Sequence, residues 1–392
     1  MKKQALTYCS NVHPLQNLAV WREKVHYFGV EVGARLGPGW KPFPLGLWFN
    51  EAVVQEVLKT GVEGLRNDLQ DWGVTTFTLN AFPQGDFHQP IVKKQVYLPD
   101  WTDPRRLKYT QDCAEVLTDL LPEDGFGSIS TLPLGWREGW TRVHSEKAVE
   151  ALLELVRFLA TLRKGSGKTV ALAMEPEPGC ALERTPQVLE FWKDVLRPAA
   201  HRAGLSDLLN THLGLCYDTC HQAVQFENPE EALESLHEWD IPIHKMQLSS
   251  ALEFPPDVEG RSHFLRSQFV EPKFLHQTRI KTKDGVVDFD DLPKALETGS
   301  EFFSDPWRVH YHLPIHSDSL LDNSAVRTTR EDMLRALRYA LKHNLTSHFE
   351  IETYTWGVLP EMHRPNSEEA LAECLAREIH FIREEVKGVF DE

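Results

Sequence analysis

Short apolar runs alternate along this chain with longer stretches in which apolar residues recur every three or four positions. The short runs read as buried strands and the longer ones as helices packed over them. Strands are predicted at Leu6–Asn11, Phe28–Leu36, Thr75–Asn80, Ser128–Leu132, Thr169–Glu175, Leu213–Asp218, Ile243–Leu248 and His348–Thr353. Helical patterns fall at 52–70, 108–120, 145–163, 187–203, 229–238, 328–344 and 367–387. Eight strands with intervening helices predict an α/β chain folded as a (β/α)8 TIM barrel. An open doubly wound sheet would show a Gly-rich turn after its first strand, and none is present.

Two stretches exceed a minimal barrel. Residues 81–107 are rich in Pro, Gln, Asp and aromatic residues and read as a long loop over the mouth. Residues 251–307 lack strong periodicity, carry a hairpin turn signal at Lys283-Asp284-Gly285, and lead into a ninth strand-like run at Trp307–Leu313. Long loops of this kind usually serve as lids or binding loops. The expectation is a single domain over 1–392, with 251–307 inserted after the seventh strand on the catalytic face. Gly165 to Thr169 ends like a phosphate-binding loop, but the motif needs glycine at position 162, which is leucine, and a strand before the loop. The order here is helix, loop, strand.

Side chains two apart share a face of a strand. On that basis Glu175 lies with Ala171 and Ala173, Asp218 with Cys216, Gln247 with Lys245, and Glu352 with His348 and Glu350. The opposite faces carry Leu172 and Met174, Leu215 and Tyr217, Met246 and Leu248, Phe349 and Ile351, which suit packing on outer helices. Barrel strands end at one mouth, so Glu175, Asp218, Gln247 and Glu352 are expected to meet there around one divalent cation. Any one of these acids alone is as well explained by a helix cap or an ion pair. Their shared facing and shared strand-end position argue for a site. An all-oxygen set favours Mn²⁺ or Mg²⁺ over Zn²⁺. Cys216 and Cys220 bracket Asp218, and buried free thiols account for them better than a four-ligand zinc site.

Composition narrows the function. The chain carries 42 basic and 58 acidic side chains, a formal charge of −16, which disfavours a phosphate backbone as partner. No apolar run is long enough for a membrane span or a signal peptide, so no membrane insertion and a cytoplasmic location are expected. Six cysteines, irregularly spaced, do not form a disulfide framework. Oligomeric state is not legible.

The pattern E-P-x-P at Glu175, D-T-x-H at Asp218, H-x-x-Q ending at Gln247, and E-T at Glu352 resembles the xylose isomerase-like TIM-barrel superfamily, which includes sugar isomerases and epimerases, an inosose dehydratase and endonuclease IV. The stretches YCSNVHP (8–14), TLNAFPQGDFH (78–88), VYLPDW (96–101), GSISTLPLG (127–135) and RVHYHLP (308–314) extend a closer resemblance over most of the chain, to the metabolite traffic barrel family of bacterial ebo clusters. The superfamily resemblance implies Glu175, Asp218, Gln247 and Glu352 as metal ligands, with Gln247 where many members have histidine. It implies His221 as a group that contacts substrate or a second metal. RVHYHLP departs from the superfamily: His310 and His312 share a face and suit either a metal site, substrate contact or an aromatic lid. The expected substrate contacts are Asn80, His221, His310 and His312, and the expected catalytic residues Glu175, Glu352 and His221. The implied activity is metal-dependent isomerisation or epimerisation of a small polyhydroxylated metabolite by proton transfer next to a carbonyl. The alternatives are a metabolite carrier without chemistry and a metal-dependent hydrolase or nuclease.

Overall fold

The computed structural model describes residues 4–256, 262–320 and 326–390. Eight strands form one parallel sheet: β1 (Ala5–Tyr8), β2 (Leu47–Trp48), β3 (Thr78–Asn80), β4 (Phe126–Thr131), β5 (Thr169–Met174), β6 (Leu213–Asp218), β7 (Ile243–Leu248) and β8 (His348–Ile351). Each pairs with its neighbours in chain order, and β8 returns to pair with β1. The remaining seam, between β1 and β2, closes through Ser10 N–H donating to Gly46 O (2.8 Å) and Gly46 N–H donating to Tyr8 O (3.0 Å). Only glycine fits at that seam, because a Cβ on Gly46 would lie 1.8 Å from Glu350 Oε1. The chain therefore has the (β/α)8 fold expected from its pattern.

Seven of the predicted strands coincide with barrel strands, and one does not. Phe28–Leu36 is the second half of a helix, Leu18–Leu36. The alternation Val30-Glu31-Val32 imitates a strand locally, but Trp21, Val25, Phe28, Val32 and Leu36 repeat at helical spacing and are all buried. The true second strand spans two residues, Leu47–Trp48, too few to show any period. The pattern over 52–70 resolves into two helices, Glu51–Thr60 and Val62–Trp72, broken at Gly61. At 165–169 the helix Arg142–Ser166 ends on a left-handed Gly167 and β5 follows, so no phosphate loop forms.

The barrel interior is polar where bulky aliphatic layers would be usual. Lys245 and Glu350 are fully buried and paired at 2.6 Å, and Lys245 also donates to Ser130 Oγ (3.1 Å). Nearer the base, Ser128 Oγ meets Thr78 Oγ1 and His348 Nδ1, each at 2.9 Å. The apolar residues of the same strands face outward onto the helices, as alternation requires.

The stretch after β7 is a second, antiparallel sheet. Its strand order is Gly285–Phe289, Thr278–Thr282, Trp307–Leu313, Ser250–Phe254 and Arg327–Thr328. The ninth run is the central strand of this sheet, and pairing continues to Thr328. Residues 257–261 of the expected insertion lie outside the described residues. Lys283 and Asp284 do form the hairpin turn. Buried Arg279 fastens the sheet to the barrel, pairing with Glu183 beyond β5 at 3.0 Å and with Asp288 of its own hairpin at 3.0 Å. Across the mouth, the 81–107 loop meets the insertion through Lys93–Asp291 (2.7 Å) and Val92 N–H to Lys273 O (2.8 Å). Buried Arg106 holds the start of that loop by donating to Ala81 O (2.8 Å) and Phe82 O (3.0 Å).

Candidate active site and metal centre

The C-terminal ends of β5, β6 and β8 bring Glu175, Asp218 and Glu352 together, with one carboxylate oxygen of each within 4.8 Å of the others. All three are buried. Asp218 caps the short helix Thr219–Val224, accepting from His221 N–H (2.9 Å), and Ser249 Oγ lies 3.2 Å from both its oxygens. Glu352 Oε1 accepts from Asn11 Nδ2 (2.8 Å) and Asn80 Nδ2 (2.7 Å). Glu175 is held less: its Oε2 is buried without a hydrogen-bond partner. Gln247 pairs in register with Asp218 and points inward, where its Oε1 accepts from the Cys216 thiol (3.1 Å) and its Nε2 has no partner.

Burial, followed by repulsion from Glu352 and Asp218, raises the Glu175 carboxyl well above the usual range. Glu352 is raised the same way, by burial first and then by Asp218 and Glu350. Asp218 is raised by burial, with partial relief from the His312 ring. Three crowded carboxyls with an orphan oxygen among them constitute a donor set that a dication satisfies, because it removes the repulsion and supplies the missing partner. The residues present fit a divalent metal.

Beside this floor stands a wall of imidazoles. His221 follows Asp218 on its helix, and His310 and His312 project from strand Trp307–Leu313 of the insertion. Their Nε2 atoms form a triangle with edges of 3.1 Å (His221–His310), 2.9 Å (His310–His312) and 3.2 Å (His312–His221). Burial lowers His221 to about 3 and His312 to about 4, and drives His310 well below the normal histidine range. All three rings are therefore neutral at physiological pH.

Several site residues carried no signal of their own in the sequence. Asn11 ends the β1 region beside Glu352, and its Oδ1 is buried and unpartnered. Glu177, two residues beyond Glu175, accepts from Tyr97 Oη (2.6 Å) and Gln277 Nε2 (3.1 Å), and burial raises it to about 8. Gln277 lies on the second sheet, so no local pattern could have paired it with Glu177. Asn80, expected to touch substrate, lines the pocket with both amide atoms engaged, Nδ2 on Glu352 and Oδ1 on Phe82 N–H (2.9 Å).

Glu175 and Glu352 of the floor line one pocket with the three imidazoles, a cavity of about 50 Å³ that opens to about 490 Å³ when its mouth is counted. Its outer wall is apolar, built from Phe82, Phe87, Val96, Phe274, Leu275 and Tyr354. A concave site with an apolar wall and a few convergent polar groups suits a small molecule. Among the described residues no helix is long and apolar enough to cross a membrane.

Comparison with solved structures agrees with the (β/α)8 barrel fold. Two matches illustrate it. One is the IOLI protein with a binding zinc atom, 11% identical, with a TM-score of 0.50 over 97% of this chain and 99% of that one. The other is a xylose isomerase domain protein from Alicyclobacillus acidocaldarius subsp. acidocaldarius, 12% identical, with a TM-score of 0.50 over 98% of this chain and 100% of that one. At such identities the likeness is one of fold. No family model matches the chain, and no curated protein does.

Proposed function

We propose that this protein is a metal-dependent enzyme that moves a proton at a carbon next to a carbonyl in a small polyhydroxylated metabolite, as an isomerase, an epimerase or a related lyase. The observation that carries the reading is the meeting of Glu175, Asp218 and Glu352 in the floor of a small-molecule pocket, with one Glu175 oxygen unpartnered. Asp218, Glu175, Glu352 and the inward-facing Gln247 would hold the cation, Mn²⁺ or Mg²⁺ by their oxygen chemistry. Bound there, a dication polarises a carbonyl and an adjacent hydroxyl.

Glu175 takes the base's role: Oε2 has no partner among the described residues and Oε1 lies 3.5 Å from His221 Nδ1, so one oxygen would hold the cation while the other accepts the proton. Glu352, oriented by Asn11 and Asn80, returns a proton from a fixed position. His221 stands 3.5 Å from Glu175 and orients the substrate oxygen or the base. The ebo-type sequence resemblance supports a place in a metabolite biosynthesis or traffic pathway, and the acidic chain argues against nucleic acid as partner.

The test is incubation of ketoses and inososes in D₂O with Mn²⁺. Metal-dependent deuterium uptake at carbon is expected, and it should vanish in Glu175→Gln and Glu352→Gln. The apolar outer wall favours one competing reading, a carrier that binds a metabolite by its less polar face without chemistry. A ligand bound tightly by the wild type with no solvent exchange would establish the carrier in place of the enzyme.

A further inference from the structure

The loop over the mouth is fixed at its roots and lightly held at its tip. Buried Arg106 ties the two roots together, donating to Ala81 O (2.8 Å) and Phe82 O (3.0 Å) on one side and to Pro99 O (2.8 Å) on the other. Further along, His88 Nε2 meets Asn11 O at 2.8 Å, and Tyr97 Oη donates to Glu177 at 2.6 Å. The tip between those two residues grips the insertion through one carbonyl, with Val92 N–H and Lys93 N–H both donating to Lys273 O (2.8 and 3.0 Å). Its lysines add ion pairs, Lys93 with Asp291 (2.7 Å) and Lys94 with Glu138 (2.9 Å) and Asp290 (3.2 Å). Glu138 is exposed and the other four are half-buried, so these pairs are weak and screened by salt. Lys93 has a left-handed backbone, φ +42°, strained for a residue with a side chain, and the shut tip persists only while its partners hold it.

The same tip closes the site. Val92, Lys93, Val96 and Tyr97 line the pocket from this loop, and Phe274 and Leu275 line it from the insertion. The enclosed part, about 50 Å³, seats roughly four waters at about 10–15 Å³ each. A metabolite with several carbons and hydroxyls needs more room than that, so it reaches the carboxylate floor only if the tip moves. We propose that residues 89–96 form a hinged strap, shut in this structure, that opens to admit the metabolite and shuts over it to exclude water. The hinges are His88 and Tyr97, where the tip meets its anchors. The opposing side stays in place: buried Arg279 holds the sheet to the barrel, and Asp291 Oδ1 is fixed by His276 N–H (3.1 Å) and Leu292 N–H (3.0 Å). Opening therefore breaks two hydrogen bonds to one carbonyl and three water-exposed ion pairs, and leaves both roots of the loop intact. The strap rests on the proposed reaction only for what passes beneath it.

Amide hydrogen exchange on the full-length protein, read by mass spectrometry, tests the opening. The Val92 and Lys93 amides should exchange through a local opening that low denaturant does not accelerate, while β3 and β5 amides follow global unfolding. Asp291→Asn removes the charge but keeps an acceptor for His276 N–H and Leu292 N–H, and it should speed exchange at Val92 and Lys93 by about 2- to 5-fold. Added salt should act in the same direction on the wild type. A cross-link separates a strap from a loose loop. Lys93→Cys/Asp291→Cys bridged by a short bis-maleimide should still bind Mn²⁺ yet lose deuterium uptake from ketoses and inososes, against a control with both cysteines capped singly. Val92 and Lys93 amides that exchange only on global unfolding, or a bridged protein as active as the capped control, would overturn the strap. Absence of deuterium uptake in every form would count against the proposed reaction instead, and hydrogen exchange would then decide the strap by itself.

Discussion

Two layers of the same barrel bury acids in opposite ways. In the lower layer Glu350 lies against Lys245 at 2.6 Å, both fully buried, with Ser130 as an added partner for the amine. In the upper layer Glu175, Asp218 and Glu352 crowd together, and neither Lys nor Arg pairs with any of them among the described residues. An ion pair inside a protein is tolerable when each charge is matched, and removing one partner is costly. A carboxylate cluster without a cation is costly from the outset. The lower layer is balanced by the chain itself, whereas the upper awaits a ligand. That contrast separates structural charge from functional charge more sharply than burial does, since both layers are buried.

The largest expected effect lies in the upper layer. Glu175→Gln or Glu352→Gln should reduce metal-dependent deuterium uptake by about 10²- to 10⁴-fold, the usual range for loss of a general acid or base. Metal-free Glu352→Gln should also melt no lower than metal-free wild type, because it removes a repelling charge. A variant that exchanges at the wild-type rate would show that the two layers do not differ in function.

The lower layer should respond in the opposite sense. Lys245→Met strands Glu350 in the interior and should cost about 3–5 kcal/mol in denaturant unfolding, with or without metal. Loss of less than 1 kcal/mol would mean that Glu350 takes up a proton at little cost and that the pair is not what balances this layer.

Metal should act on the upper layer alone. A cation at a hundredfold excess over its dissociation constant adds about 2.7 kcal/mol to the folded state. Chelator should therefore lower the melting temperature and Mn²⁺ restore it, in Lys245→Met as in wild type, with a weaker response in Asp218→Asn. A melting temperature indifferent to chelator and added metal, in protein shown to be metal-free, would remove the carboxylate site.

A third buried acid sharpens the comparison with the smallest effect. Among the described residues Glu378 pairs with no lysine or arginine: it accepts from Thr353 Oγ1 (2.7 Å) and Ile315 N–H (3.0 Å), and burial raises it to about 8. Its folded pKa exceeds the unfolded value near 4.5, so between these two values the folded state holds a proton that the unfolded chain releases. The contribution is whole below about pH 4.5 and is lost as pH rises towards 8. Wild-type stability relative to Glu378→Gln should fall by about 2 kcal/mol between pH 4.5 and pH 6, at about 1.4 kcal/mol per pH unit. A difference flat with pH would place Glu378 among the ionised acids.

The site was legible in the sequence to the extent that it lies on barrel strands. Alternation put Glu175, Asp218 and Glu352 on inward faces because the side-chain period of a strand is two whatever its surroundings, and the structure brings those three carboxylates together. The same local reading failed at Leu18–Leu36, where a short Val-Glu-Val alternation hid a helical repeat, and at Leu47–Trp48, where two residues carry no period at all. Tertiary structure alone decided the imidazole wall. Sequence put His310 and His312 on one face, but only the register of an antiparallel sheet laid over the mouth sets them 2.9 to 3.2 Å from each other and from His221, eighty-nine residues before His310. Periodicity is a property of neighbouring residues, and the strand pattern carried it. Convergence depends on how separate elements pack, and no run of residues records that.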